Sequence, residues 1–139
     1  MCPSDIAAGI GLGQLTKLDD LQSYRKKIFD IYQEEFKKMD KITIPVDADE
    51  TAGSRHSYFT YFIQIPNRDQ VAKYLFDEGI YTTLRYHPLH LNALYKSNSK
   101  LPVCEELNET GLNIPLHPSL TMEDVDYIVE KIKGCNLLK

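Results

Sequence analysis

The sequence has no hydrophobic run long enough to cross a membrane. A membrane-spanning helix needs about 20 consecutive, mainly apolar residues, and polar or charged residues interrupt every apolar stretch here well short of that length. The opening residues, Met1 to Asp5, include no basic residue, so they do not form the positively charged start of a secretory signal peptide. The sequence therefore predicts a cytoplasmic protein with no membrane partner.

Cysteine is scarce, and positive charge is not in excess. The three cysteines, Cys2, Cys104 and Cys135, are an odd number and far apart, which is typical of reduced thiols rather than of a disulfide framework. The net charge is −4, and since proteins that bind nucleic acids usually present a basic face, we expect no nucleic-acid partner. With 42% hydrophobic and 26% charged residues, the 139-residue chain has the composition and length of one globular domain.

Motifs for metal binding and covalent catalysis are also missing. Among the histidines and cysteines, His87 and His90 form the one closely spaced pair, so we predict no metal site. There is no G-x-S-x-G motif, and the lysines lie mostly on charged helix faces, rather than in the buried or cationic surroundings that a Schiff-base lysine needs. We therefore predict no catalytic residue and no cofactor-binding residue in this chain.

The N-terminal part predicts one long helix, residues 4–38. It is nearly uncharged up to Leu15 and highly charged afterwards, with apolar residues at helical spacing. The glycines at 9, 11 and 13 are better explained by close helix packing and a bend in the helix than by a dinucleotide-binding loop. The third glycine comes one residue early for such a loop, and no strand precedes the three. Such a helix would be about 50 Å long, so it should project beyond the rest of the domain. We expect a second copy or another chain to cover its apolar residues, Ile6, Ile10, Leu12 and Leu15.

Residues 41–139 predict an α+β body. Strands are predicted at 42–45, 57–65, 80–86 and 111–116. Helices are predicted at 67–78, 102–109 and 121–134, with a helical turn at 89–95. Asn67 with Gln70 suggests a capping box, Gly79 a left-handed helix end, and Thr121 with Asp124 a second capping box. The fold class is therefore α+β, a small and mainly antiparallel sheet with packed helices and a long N-terminal helix.

The densest polar cluster, Arg85-Tyr86-His87-Pro88-Leu89-His90, comes where the third predicted strand enters a loop. Functional sites commonly lie in such loops. Arginine offers a bidentate fork to phosphate, and tyrosine and histidine offer directional hydrogen bonds, so this cluster can hold an anionic sugar nucleotide. The alternative is a turn whose two histidines satisfy backbone groups, and the residue types alone favour that alternative.

Three segments together resemble the C-terminal part of a known enzyme family. They are residues 4–19, 79–91 and 114–126, which read SDIAAGIGLGQLTKLD, GIYTTLRYHPLHL and IPLHPSLTMEDVD. In order and spacing, along nearly the whole chain, they are similar to the DegT/DnrJ/StrS family of pyridoxal-phosphate-dependent sugar aminotransferases. The resemblance implies that residues 1–139 form the C-terminal small domain of a fold-type I aminotransferase, with the helix 4–38 between the two domains of the enzyme and near its dimer interface.

The resemblance also implies a function. Enzymes of this family pass an amino group from glutamate or glutamine to a nucleotide-linked keto sugar, with pyridoxal phosphate on a lysine of a large N-terminal domain. That domain is absent from this chain, so we expect the cofactor in the complete enzyme, none on this chain alone, and no activity of this chain alone. By their place in the family motif, the implied substrate contacts are Arg85, Tyr86, His87 and His90.

The implied partners are the missing lysine domain, a nucleotide sugar, and a second copy bound through the apolar first part of the helix. An alternative is a non-catalytic, free-standing domain of the same fold that binds a partner protein or a nucleotide sugar. Cofactor binding after the N-terminal half is added would separate the two hypotheses.

Overall fold

The computed structural model describes residues 4–49, 51, 53–84 and 87–139, and these ranges contain five α-helices and a two-stranded antiparallel sheet. The α+β class predicted from the sequence is confirmed. None of the described helices has the length and apolar character of a membrane span. In chain order the elements are α1 (Asp5–Leu15), α2 (Leu18–Phe36), β1 (Tyr61–Gln64), α3 (Arg68–Asp77), α4 (Pro102–Thr110), β2 (Gly111–Ile114) and α5 (Met122–Gly134), with 3-10 turns at Leu89–Leu91, Ala93–Tyr95 and Asn136–Leu138.

The single helix predicted over 4–38 is in fact two helices. Helix α1 is followed by a turn at Thr16 and Lys17 before α2 begins. The Thr16 hydroxyl donates to the carbonyl of Gly13 (2.9 Å), and such local hydrogen bonds compete with the helical ladder. The break therefore lies at a side chain that turns back on the backbone rather than at a glycine. Helix α1 is exposed along its whole length, and its three glycines meet no neighbouring element.

The sheet is narrower than predicted. Strands β1 and β2 pair in antiparallel register, and single bridges extend the sheet at both sides, Thr43 with Gln64 of β1 and Thr83 with Asn113 of β2. Among the described residues, the first and third predicted strands are thus reduced to one paired residue each. Both sit at edges, where a segment has a partner on only one side.

The second predicted strand, 57–65, begins only at Tyr61 because Tyr58 has a left-handed backbone with φ +45°. A strand cannot contain that conformation, and it is rare for an aromatic residue. The Tyr58 N–H donates to Nδ1 of His56 (2.9 Å), and its hydroxyl donates to a carboxylate oxygen of Asp47 (3.2 Å). Tyr58 is buried, so these bonds and the packing hold the turn that leads into β1.

The core lies between the sheet, α2 and α5. Rings of α2 surround Tyr61 of β1, with the centroids of Phe29 and Tyr32 each 5.1 Å away in edge-to-face geometry. Such aromatic pairs add to the free energy gained by apolar burial. Helix α5 contributes its apolar stripe to the same core, namely Val125, Ile128, Val129 and Ile132. Helix α1 contributes no buried side chain.

Helix α3 ends as predicted and begins differently. Gly79 has φ +78°, and the N–H groups of Ile80 and Gly79 donate to the carbonyls of Leu75 (2.8 Å) and Phe76 (2.9 Å). This is the Schellman arrangement that a glycine after a helix favours. Asn67 has φ +53° and makes no side-chain bond to the helix. The predicted capping box at Asn67 is therefore wrong, because a cap needs an extended backbone there.

Candidate functional site

Helix α4 and strand β2 follow one another without a loop, and we call them the α4–β2 unit. Arg68 of α3, only 8% exposed, donates from Nη1 to the carbonyls of Asn108 (2.8 Å) and Gly111 (3.2 Å). The Asn108 carbonyl is among those that a helix end leaves unpaired. A Cβ on Gly111 would overlap the ring of Phe62 and the carbonyl of Leu107. Close packing and the buried guanidinium therefore make this junction rigid.

The residue that leads into the predicted site, Thr83, pairs with strand β2. Thr83 exchanges two backbone hydrogen bonds with Asn113 (3.1 and 2.9 Å), and the Asn113 side-chain amide also donates to the Thr83 carbonyl (3.3 Å). Asn113 is buried, so its amide is fixed by its surroundings. Thr83 thus attaches the chain to the α4–β2 unit just before the predicted contacts. Arg85 and Tyr86, two of those contacts, lie outside the described residues.

On the far side of that stretch, His90 points inward. Its side chain is 7% exposed, whereas Leu89 and Leu91 on either side are exposed. Nε2 of His90 lies 2.9 Å from Oε1 of Glu105 in α4, and the same oxygen accepts the N–H of Leu101 (2.9 Å). These hydrogen bonds, with that of His90 first, lower the pKa of Glu105.

The two predicted substrate contacts that the structure describes, His87 and His90, have different surroundings. His87 is exposed to solvent and can meet a ligand, while His90 is turned toward α4. Sequence reasoning missed Glu105, whose one recognisable feature is its place in the first turn of a helix that starts with Pro102. Its partner lies 15 residues away, which local patterns do not reveal. Of the two predicted contacts that the structure describes, His87 is thus the one open to a polar ligand.

A cleft of about 570 Å³ runs along the sheet edge formed by Thr83. Phe59 and Tyr81 stand exposed in its wall, and the first turn of α5 lies opposite. Neither His87 nor His90 lines it. The volume is that of a small-molecule site, and its position adjoins the chain that leads into the predicted contacts.

The lysines of this chain do not fit a pyridoxal phosphate site. All of them lie in the described ranges, and none is buried. The half-buried Lys26 and Lys131 pair with Asp30 and Glu78, and these hydrogen bonds raise the pKa of both amines. A Schiff-base lysine needs the opposite shift. Within the same ranges, no three His, Cys, Asp or Glu side chains are grouped to hold a metal ion.

Comparison with known proteins gives consistent matches. The model of the DegT/DnrJ/EryC1/StrS aminotransferase family matches residues 3–133. The chain is 32% identical, over 132 residues, to dTDP-4-dehydro-2,3,6-trideoxy-D-glucose 4-aminotransferase of Saccharopolyspora spinosa, covering 94% of this chain and 34% of that protein. The structure of aminotransferase TlmJ from Streptoalloteichus hindustanus superposes with a TM-score of 0.88 and 34% identity, covering 94% of this chain and 35% of that one.

A third match was solved with a form of the cofactor. Spr1654 from Streptococcus pneumoniae, in its PMP form, superposes with a TM-score of 0.84 and 30% identity, covering 94% of this chain and 34% of that one. In all three comparisons the chain spans about a third of the length of the protein it matches.

Proposed function

The chain belongs to the DegT/DnrJ/EryC1/StrS aminotransferase family, and from this premise we propose that it forms the substrate side of a nucleotide-sugar aminotransferase. The observation that carries the proposal is the family match over residues 3–133, together with the superposition on an aminotransferase at a TM-score of 0.88. In the complete enzyme an amino group passes from glutamate or glutamine to a keto sugar. The name of the S. spinosa relative specifies a dTDP-linked 4-dehydro sugar, and we take that chemical class as the substrate.

The cofactor of the family is pyridoxal phosphate, which supplies the electron sink for amino transfer when it is bound. We place its lysine in a partner domain, because each lysine of this chain is exposed or paired with a carboxylate. The part that falls to this chain is to bind and orient the sugar nucleotide. This chain alone is therefore proposed to be inactive and to bind no cofactor.

The stretch that follows Thr83 is proposed as the substrate contact. It carries Arg85, Tyr86 and His87, and arginine is suited to a diphosphate because its fork donates two parallel hydrogen bonds. His87 supports the proposal because it is exposed in a loop next to a firmly attached edge. His90 contributes to the same site indirectly, because its hydrogen bond to Glu105 holds the turn that carries His87.

The exposed face of α1 is proposed as the interface with the rest of the enzyme or with a second copy. Four large apolar side chains stand free there, Ile6, Ile10, Leu12 and Leu15, each more than 60% exposed. Apolar patches of this kind usually mark interaction surfaces. The interface would also give the glycines of α1 the close neighbour that they lack in the described chain.

A chimaeric enzyme tests the proposal. Residues 3–133 of this chain replace the matching third of the S. spinosa enzyme, and amino transfer to the dTDP-linked 4-dehydro sugar is assayed with pyridoxal phosphate and glutamate. We expect activity from the chimaera and none from the 139-residue chain alone. Within the chimaera, His87→Ala should raise KM for the sugar about tenfold, equivalent to the loss of one hydrogen bond.

The matched control is Lys100→Ala, an exposed residue that should leave KM unchanged. A chimaera that folds and binds the cofactor yet transfers no amino group would contradict the proposal. So would equal KM values for His87→Ala and the control.

A further inference from the structure

Segment 87–100 is joined to the rest of the described chain by a single hydrogen bond. Its other described hydrogen bonds are local and lie within its 3-10 turns and loop. The one that leaves the segment, among the described residues, links His90 to Glu105. The leucines beside His90 are exposed, so the apolar packing of the turn is that of the buried Pro88. The His90–Glu105 contact is thus the one polar link, among the described residues, that adds to this packing and holds the turn in place.

One carboxylate oxygen of Glu105 serves two elements. It accepts from His90 and from the N–H of Leu101, each at 2.9 Å. Leu101 is the N-cap of α4 and makes no side-chain cap bond, so Glu105 also satisfies a backbone group that the helix start leaves free. The same bonds favour the ionised carboxylate and lower the pKa of Glu105. An ionised carboxylate only accepts hydrogen bonds, so Nε2 of His90 carries the proton and is not open to a ligand.

The described residues at either end of the predicted contact stretch, Thr83 and His90, both bond to the α4–β2 unit. Thr83, before the stretch, bonds to Asn113 of β2, and His90, at its end, bonds to Glu105 of α4. The α4–β2 unit is continuous and is locked to α3 by Arg68. A change at Glu105 would therefore release the 87–91 turn from this contact, while Thr83 stays attached to β2.

We infer that Glu105 is a positioning residue, which fixes the 87–91 turn on the α4–β2 unit through His90. His90 is then the anchor of the turn, and the exposed His87 is left to meet a ligand. The inference rests on the proposed function only for the nature of that ligand, a nucleotide sugar. The anchoring itself does not depend on it.

The first test uses NMR on the full 139-residue chain to measure how firmly the 87–91 turn is held. Variants are Glu105→Ala, Glu105→Gln and, as matched control, Glu106→Gln, an exposed neighbour on the same helix. We expect amide exchange of Leu91 and Asn92 to accelerate about tenfold in Glu105→Ala, with the amides of α5 unchanged. Glu105→Gln should restore part of the protection, because its amide oxygen can still accept both hydrogen bonds.

A pH titration separates anchoring from general stability. The ring resonance of His90 should show an acid step below pH 4.5, the usual pKa of glutamate, because Glu105 titrates there with a lowered pKa. The step should persist in Glu106→Gln and vanish in Glu105→Gln. Unchanged exchange of Leu91 and Asn92 in Glu105→Ala, equal acceleration of the α5 amides, or an acid step that survives in Glu105→Gln would each overturn the inference.

A second arm, with dTDP as the probe, reports on the proposed function. The resonance of His87 is followed as dTDP is added to the chain and its variants. Affinity about tenfold weaker in Glu105→Ala than in Glu106→Gln supports both the anchor and the ligand. If the anchor behaves as expected and dTDP shifts no resonance of His87, the inference stands and the proposed substrate contact fails.

Discussion

At the scale of single residues, two tyrosines of the core differ in whether the hydroxyl group has a hydrogen-bond partner. Tyr32 donates to the carbonyl of Pro115 (2.9 Å), whereas the hydroxyl of Tyr61 makes no hydrogen bond to any described residue. Burial raises the pKa of both phenols well above the ordinary value, so both stay neutral. A buried hydroxyl without a partner has lost its hydration and gained nothing in exchange.

The pair gives a matched prediction. Tyr32→Phe should lower the free energy of unfolding by about 1 kcal/mol, because it removes the hydrogen bond to the partly buried Pro115 carbonyl. Tyr61→Phe should leave that free energy unchanged or raise it slightly, because the removed group has no partner. Urea denaturation of both variants measures the difference. Equal losses in the two variants would show that Tyr61 has a hydrogen bond partner in solution.

Arg68 is a second residue whose contribution can be measured. Its guanidinium bonds two carbonyls at the α4–β2 junction, so Arg68→Ala should lower the free energy of unfolding by about 2–3 kcal/mol, through unpaired buried carbonyls and lost packing. Asp69→Asn is the control. Asp69 lies 2.6 Å from Nε of Arg68 but is 79% exposed, and exposed ion pairs contribute about 0–1 kcal/mol. Comparable losses in both variants would contradict a role for the buried bonds.

At the scale of elements, helix α5 shows that a short motif can fix a helix start. The Thr121 hydroxyl accepts the N–H of Asp124 (3.1 Å), and a carboxylate oxygen of Asp124 accepts the N–H of Thr121 (2.8 Å). The capping box predicted from the sequence is confirmed. The hydrogen bonds from Thr121, with its backbone N–H first, lower the pKa of Asp124.

The cap predicts an acid-sensitive contribution to stability. A carboxyl group whose pKa is lower in the folded state stabilises the fold above its unfolded pKa, 3.8 for aspartate, and loses that effect as pH falls through the folded value. Asp124→Asn should therefore unfold at a lower urea concentration than the unaltered chain at pH 7, and this difference should shrink below pH 3.8. Asp126→Asn, which removes one charge from an exposed position on the same helix outside the cap, is the control. A difference that is constant from pH 7 to pH 3 would argue against the cap as its source.

At the scale of the whole molecule, α1 is the element that the described chain leaves uncovered. The core collects residues from α2 onward, and every described residue of α1 is exposed. The described chain therefore leaves the apolar side chains of this helix open to solvent. In the relatives, about two thirds of the protein lies outside the region that this chain matches.

We predict that the 139-residue chain self-associates through α1. Ile10→Lys should shift sedimentation toward the monomer, because a charge in an apolar interface is costly. Gln14→Lys, a polar residue exposed on the same helix, should leave association unchanged. A monodisperse monomer at high protein concentration, with α1 still helical, would contradict the prediction.

Local patterns in the sequence determined the elements that depend on near neighbours. The apolar stripes of α2 and α5, the glycine after α3 and the capping box of α5 are each set by contacts within a few residues. The three motifs that resemble the aminotransferase family also predicted the family, and the match of its model over residues 3–133 confirms that prediction. For these features the chemistry of one short stretch is sufficient.

Tertiary structure decided the rest, because the interactions involved cross the chain. The length of each strand depended on the neighbours available, so within the described ranges the segments around Thr43 and Thr83 each pair at one residue. Tyr58 lies in a turn instead of the predicted strand, because its ring is buried and it makes hydrogen bonds to the side chains of His56 and Asp47. His90 turned inward because packing brought Glu105, 15 residues on, within hydrogen bond distance. The sequence could select the residues at this site, but only the folded chain assigned one histidine to solvent and the other to a carboxylate.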